Sequence, residues 1–492
     1  MLFNSYEFIF LFLPVTFFVY FYLNGLRLTE ASKAFLVAAS LFFYAWWNVK
    51  YLPLILLSMI VNYAIGRELA NHKRRNRRYN PKVLLGVGVA FNLGLLGYYK
   101  YADFFIENLN RALNTHLPLL HLALPLAISF YTFQQIAYLV DSYRGQTKEY
   151  DFLNYAVFVT FFPQLIAGPI VHHAEMMPQF AKLRNKVKNY ANIALGLFIF
   201  FMGLFKKVVI ADTFAQWATR GFDVAKSLNM TEAWATSLSY TFQLYFDFSG
   251  YTDMAIGAAL LFNIRLPMNF YSPYKAVNIQ DFWRRWHITL SHFLRDYLYI
   301  PLGGNRKGRL RTYLNLFVTF LLGGIWHGAG WTFVAWGALH GAALVIHRIW
   351  RDLKLKMPKL LGWFITFNFI NVAWVFFRAK NFDDAVKVLK GMFGGFPVLD
   401  GSLKTSLGFL QNIGIHFGHW SKTFAHESHM GWWILGGFVV TLLLPNSMQL
   451  KKRFEALQVV PATWWLLGSI LGGGALMVMS VQEGSEFLYF DF

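Results

Sequence analysis

Cysteine is absent from all 492 residues, and acids are scarce: 25 Asp and Glu stand against 45 Lys and Arg. The first absence excludes disulfides, thiolate metal sites and cysteine nucleophiles. The second leaves a formal net charge of +20, which raises the question of a nucleic-acid partner. Charge of either sign is nevertheless thin, at 14% of the chain against 56% hydrophobic and 19% aromatic residues, so apolar content decides the class. The basic residues lie in short loops between apolar runs, the positive-inside pattern of a membrane protein, and no nucleic-acid partner is expected. Also lacking are the serine-hydrolase GxSxG, the zinc-binding HExxH and the phosphate-loop GxxxxGK[ST], so no metal is expected either.

What the chain has instead is a succession of apolar runs long enough to cross a bilayer, such as VLLGVGVAFNLGLLGYY, NIALGLFIFFMGLF and LLGWFITFNFINVAWVFF. No soluble core hides so many, and the sequence predicts an all-α polytopic membrane protein. The first run, FIFLFLPVTFFVYFYL, has no basic residue before it and no small-residue cleavage site after it, so it reads as a retained span.

Orientation follows from the basic loops 72–82, 181–188, 305–311, 347–359 and 451–453, which the charge rule places in the cytoplasm. Spans are predicted near 8–24, 34–49, 51–65, 83–99, 118–140, 190–210, 233–262, 312–327, 330–347, 360–378, 431–446 and 461–481. Parity makes FLNYAVFVTFFPQLIAGPIV a re-entrant hairpin bent at Pro163, Gly168 and Pro169, the alternative being an ordinary span beside a misjudged neighbour. The total is 11 to 12 spans in one membrane domain, 1–492, with a motif-bearing core near 120–350 and an external insertion near 379–430.

Ionisable residues inside this apolar frame are the candidates for chemistry, because placing them there costs free energy. His327 interrupts an apolar run within GGIWHGAGWTFVAWG, where flanking glycines weaken the helix. A buried neutral imidazole there is either a general base for a hydroxyl or a structural donor to a carbonyl freed by the break. Helical spacing puts Arg284, His287, Ser291 and Arg295 on one face of the 281–300 segment, beside Trp283 and Trp286. That stripe reads equally as an anion site or as an interfacial helix meeting lipid headgroups. PLGGNRKGR adds Arg306, Lys307 and Arg309 to flexible glycines, which suits phosphate or a plain cytoplasmic loop. Asp247 and Asp253, in QLYFDFSGYTDMAIG, are expected to pair with cations, the nearby arginines being available.

Taken together, FPQLIAGPI, QLYFDFSGYTDMAIG, FWRRWHITLSHFLRDYLYIPLGGNRKG and LLGGIWHGAGWTFVAWGALHG resemble the membrane-bound O-acyltransferase family. The resemblance covers about residues 1–380 and is nearest to the bacterial branch that acetylates exported alginate and peptidoglycan. It implies a fold of membrane helices and re-entrant helices around a tunnel. It also implies an O-acetyltransferase of the bacterial inner membrane, with His327 as catalytic histidine and His287 near the cytoplasmic mouth. Acetyl-CoA is the implied donor, its phosphates held by Arg284, Arg285, Arg306 and Lys307. Asn305, Trp326 or His287 would orient the base. Implied partners are a periplasmic, esterase-like acetyltransferase, the polysaccharide acceptor and membrane lipid. The teichoic-acid D-alanylation branch would take a carrier-protein thioester instead. A transporter or flippase is the rival reading; repeated halves with paired broken helices would favour it, and none is seen in the sequence.

Overall fold

A computed structural model describes residues 1–71, 80–147, 151–418, 421, 423–424, 429–457, 461–481 and 488. Most of the basic loop 72–82 lies outside the described residues. Apart from a short parallel pair of strands, Val398–Asp400 with His416–Gly418, the regular elements are helices. Lipid offers no partner for backbone N–H and C=O groups, and a helix satisfies them within one segment.

Seven helices among the described residues are long and apolar enough to span: Glu7–Gly25, Val49–Asn71, Pro81–Leu113, Tyr190–Val224, Trp331–Asp352, Lys359–Arg378 and Ala462–Val481. The pair Met430–Leu442 and Ser447–Glu455, bent by 48°, makes an eighth if it counts as one span. Met230–Leu261 and Arg309–His327 are also long, but carry more polar or charged side chains, and Thr29–Ala45 is shorter, at 17 residues. The chain is a multi-pass membrane protein. Several expected boundaries change, the 190–210 run for one continuing as helix to Val224. The 83–99 run continues as helix to Leu113, because its amphipathic second half, ADFFIENLNRAL, has helical periodicity of its own. The 118–140 run becomes helical only at Ile128, since LPLLHLALP, with Pro118 and Pro125, forms no helix before it.

The described residues form two compact units. One comprises 1–205, 250–269 and 451–491; the other comprises 206–249 and 270–450. In the first, Asn62 and Asn92, both fully buried, close a reciprocal pair of amide hydrogen bonds at 3.2 and 2.6 Å. Each amide also donates to a carbonyl of its own helix, Ser58 or Gly88, so no polar group is left facing hydrocarbon. The 152–171 run is broken: a helix Phe152–Thr160, a kink at Phe161, one turn Phe162–Leu165, then non-helical chain through Gly168 and Pro169. Every residue from Tyr155 to Val171 is buried, as non-helical backbone at membrane depth must be.

In the second unit the ammonium of Lys207 lies 2.7 Å from Asp212 and 2.7 Å from Asp247, all within the packed interior. Asp247 is therefore paired, with a lysine rather than with the expected arginines. The insertion begins with Phe382–Gly394, an amphipathic helix, and Glu232 ties down its far end by accepting from the Ser421 hydroxyl and the Thr423 N–H.

The candidate active site

The helices Arg309–His327 and Trp331–Asp352 build the site in the second unit, and glycines set how closely they pack. A Cβ on Gly324 would sit 2.7 Å from the Gly337 Cα and 2.5 Å from the Phe333 carbonyl oxygen. One on Gly337 would sit 2.7 Å from the Phe320 carbonyl oxygen, and one on Gly341 would sit 2.9 Å from that of Phe317. Small residues at helical spacing let two backbones meet in this way. The expectation that Gly323 and Gly324 loosen the helix beside His327 is corrected: both lie inside a helix that runs unbroken to His327. The break comes at Gly328–Gly330, and Gly328 is there because any Cβ would strike the Phe333 ring at 2.1 Å.

His327 is therefore the last residue of its helix, 5% exposed, in a collar of aromatic rings. Its ring centroid lies 4.8 Å from Trp326, 5.0 Å from Trp336 and 5.1 Å from Phe377. Trp336 in turn meets His340 at 4.5 Å, and the Trp283 indole N–H donates to His340 Nδ1 at 3.2 Å. The buried Thr332 hydroxyl, donating to the Ala379 carbonyl at 3.2 Å, anchors the second helix start.

The 281–300 segment is not the single helix expected. It splits into Ile279–Trp283, Ile288–Leu294 and a π-helical turn Arg295–Tyr299. The break falls on His287, at φ 41° and ψ 55°, a left-handed conformation that costs a non-glycine residue of order 1 kcal/mol or more. His287 is fully buried, 4.8 Å edge-on to Phe248. Burial pushes its pKa down to about 3, so it stays neutral. A series of rings links it to the other histidine: Phe270, 6.5 Å from His287, then Trp286, Trp374 and Trp336 at centroid steps of 5.1, 4.9 and 5.9 Å.

Because the helix breaks, Arg284, His287, Ser291 and Arg295 do not share one stripe. Arg284 is exposed, and Arg285 pairs with Asp281 at 2.9 Å. Asn305, Arg306 and Lys307 are exposed on a turn that Gly303, Gly304 and Gly308 form with positive φ, Asn315 fixing it from below by donating to the Gly304 carbonyl. Ser291 and Arg295 instead line a cavity of about 220 Å³ with Thr319, Phe320, His347 and Arg348. None of Arg284, Arg285, Asn305, Arg306 and Lys307 lines it.

That cavity and His327 occupy two ends of one helix seam. Phe320 lies seven residues before His327, and Arg348 twelve after Trp336. At about 1.5 Å per residue these offsets span roughly 10–18 Å. Sequence reasoning missed Trp336, His340, His347 and Arg348. The signal for two of them was present: Trp336 and His340 stand one turn apart inside the motif that contains His327.

The family model of the membrane-bound O-acyltransferases matches residues 47–382. A peptidoglycan O-acetyltransferase of Helicobacter pylori is 51% identical, the match covering 100% of this chain and 98% of that one. A probable alginate O-acetylase of Pseudomonas putida is 44% identical over 80% of each chain. A teichoic acid D-alanyltransferase of Streptococcus thermophilus is 27% identical, over 51% of this chain and 68% of that one. The family match over 47–382 and the full-length relative, with a buried histidine closing the helix Arg309–His327, make the chain an acyltransferase that belongs to the membrane-bound O-acyltransferase family.

Proposed function

We propose that the protein takes acetyl groups from cytoplasmic acetyl-CoA and passes them through the bacterial inner membrane to an exported envelope polysaccharide. Peptidoglycan is the acceptor favoured over alginate, because the full-length similarity is to a peptidoglycan O-acetyltransferase whereas the alginate relatives match over four fifths of the chain. A periplasmic, esterase-like transferase would complete the transfer to polymer.

The observation that carries this reading is the pairing of buried His327 with the cavity bearing Arg295, His347 and Arg348 at the other end of its helix seam. A thioester on a long, thin arm matches such an arrangement. Its phosphates stay with the cations, where charge-assisted hydrogen bonds hold them, while its carbonyl reaches the histidine. The thioester is already activated, so the protein has three tasks: to align the acceptor hydroxyl, remove its proton and hold the oxyanion. His327 takes the proton as the hydroxyl oxygen bonds to the acetyl carbon, then returns it to the departing thiolate. His287, neutral by burial, acts in positioning.

The test is His327→Ala in cells, with alkali-released acetate measured on isolated envelope polysaccharide and the variant's membrane level measured beside it. Acetylation falls to background with the protein level unchanged. Acetylation near wild type would remove His327 from the chemistry.

A further inference from the structure

Two indole and imidazole N–H groups beside His327 have no role in the scheme so far. Trp336 is 1% exposed, and its Nε1 has no hydrogen-bond acceptor among the described residues. His340 is fully buried, and its Nδ1 accepts from Trp283, so the proton of the neutral ring sits on Nε2. That Nε2 likewise has no partner among the described residues. A buried donor without an acceptor is rare and costly, and here two occur on rings 4.5 Å apart, one of them 5.0 Å from His327. Both also stand one turn apart on the Trp331–Asp352 helix, whose register the glycine seam fixes against the helix bearing His327.

We propose that Trp336 Nε1–H and His340 Nε2–H are the oxyanion donors of the acyl-transfer reaction. The proposal rests on acyl transfer at His327, not on which thioester supplies the acyl group. The acceptor oxygen bonds to the acyl carbon, its proton passes to His327, and the carbonyl π electrons move onto oxygen. The two N–H groups, matched by no acceptor among the described residues, hold that negative oxygen. When the oxyanion collapses, the C–S bond breaks and the thiolate leaves with the proton from His327. Trp283 contributes indirectly: by donating to Nδ1 it forces the His340 proton onto the nitrogen that faces away from it.

Three variants separate this role from packing. Trp336→Phe keeps an aromatic ring and removes the N–H. His340→Gln places an amide donor where Nε2 stood. His340→Asn places an acceptor where Nδ1 stood, keeping the Trp283 bond and losing the donor. Polymer acetylation in cells and initial rates in membrane vesicles with titrated acetyl-CoA are the readouts, each normalised to the variant's membrane level. Trp336→Phe and His340→Asn lower kcat by about 10²- to 10³-fold at nearly constant KM, the loss expected for one oxyanion donor. His340→Gln retains most of the wild-type rate. Near wild-type rates for both Trp336→Phe and His340→Asn would overturn the proposal. So would a His340→Gln enzyme as inactive as His340→Asn, or losses confined to KM. If Trp336→Phe does not reach the membrane, the Gln and Asn pair decides. Wild-type vesicles that ignore acetyl-CoA would refute the donor assigned under the proposed function, and the cell assay would still decide this one.

Discussion

The glycine seam makes a quantitative prediction at Gly337. An alanine Cβ there would sit 2.7 Å from the Phe320 carbonyl oxygen, 3.0 Å from the Gly324 Cα and 3.1 Å from the Leu321 Cα, all backbone atoms that no rotamer change can move. Ordinary contact begins near 3.4 Å, so the two helices must part by about 0.7 Å at the oxygen. Overpacking of this kind costs about 1–3 kcal/mol, which a stability of about 5–15 kcal/mol survives. The effect on chemistry is larger. Trp336 and His340 ride on one helix and His327 on the other, and a displacement of about 1 Å between reacting groups can cost about 10²-fold. Gly337→Ala therefore lowers polymer acetylation about ten- to a hundredfold while the protein remains in the membrane. Gly330→Ala is the control, because its Cβ meets nothing nearer than the Phe333 ring at 3.6 Å, and it keeps wild-type activity. Acetate released by alkali, normalised to membrane level, reads both. Equal activity of the two variants would refute the claim that helix approach positions the site.

Three more outcomes follow from the charges. Lys207→Met leaves Asp212 and Asp247 without their shared cation and costs about 3–5 kcal/mol, seen as a lower melting temperature in detergent; unchanged melting would show that the triad is dispensable. His287 is held neutral, its pKa lowered from 6.5 to about 3, so the unfolded chain binds a proton that the folded one refuses. Stability then falls as pH drops from about 6.5 towards 3, and His287→Gln flattens that slope when melts at pH 5 and 7.5 are compared. Arg348→Glu, in the cavity wall, raises the KM for acetyl-CoA more than Arg306→Glu with Lys307→Glu does on the exposed turn; the reverse order in vesicle kinetics would return the phosphates to the glycine loop.

Much of this was legible in the residues alone. Continuous apolar runs near the length a helix needs to cross a bilayer announce a polytopic helical protein, since a helix satisfies its backbone within one segment. His327 stood out because an ionisable side chain in such a run is expensive, and Pro163, Gly168 and Pro169 marked the broken 152–171 element for an equally local reason. Asp247 was recognised as needing a cation, but its partner Lys207 is forty residues away in sequence, and only folding selects it over the arginines nearby. The 281–300 stripe misled because helical spacing assumes a continuous helix, whereas the strained turn at His287 sends His287 into the interior and leaves Arg284 outside. The roles of Gly324 and Gly337 were hidden too: a glycine in a sequence signals a permitted break and a permitted close contact alike, and which one operates depends on what packs against it. The cavity of Arg295, His347 and Arg348 and the His327–Trp336–His340 series were decided by tertiary structure alone, because each gathers side chains from separate helices that meet only where glycines let two backbones touch.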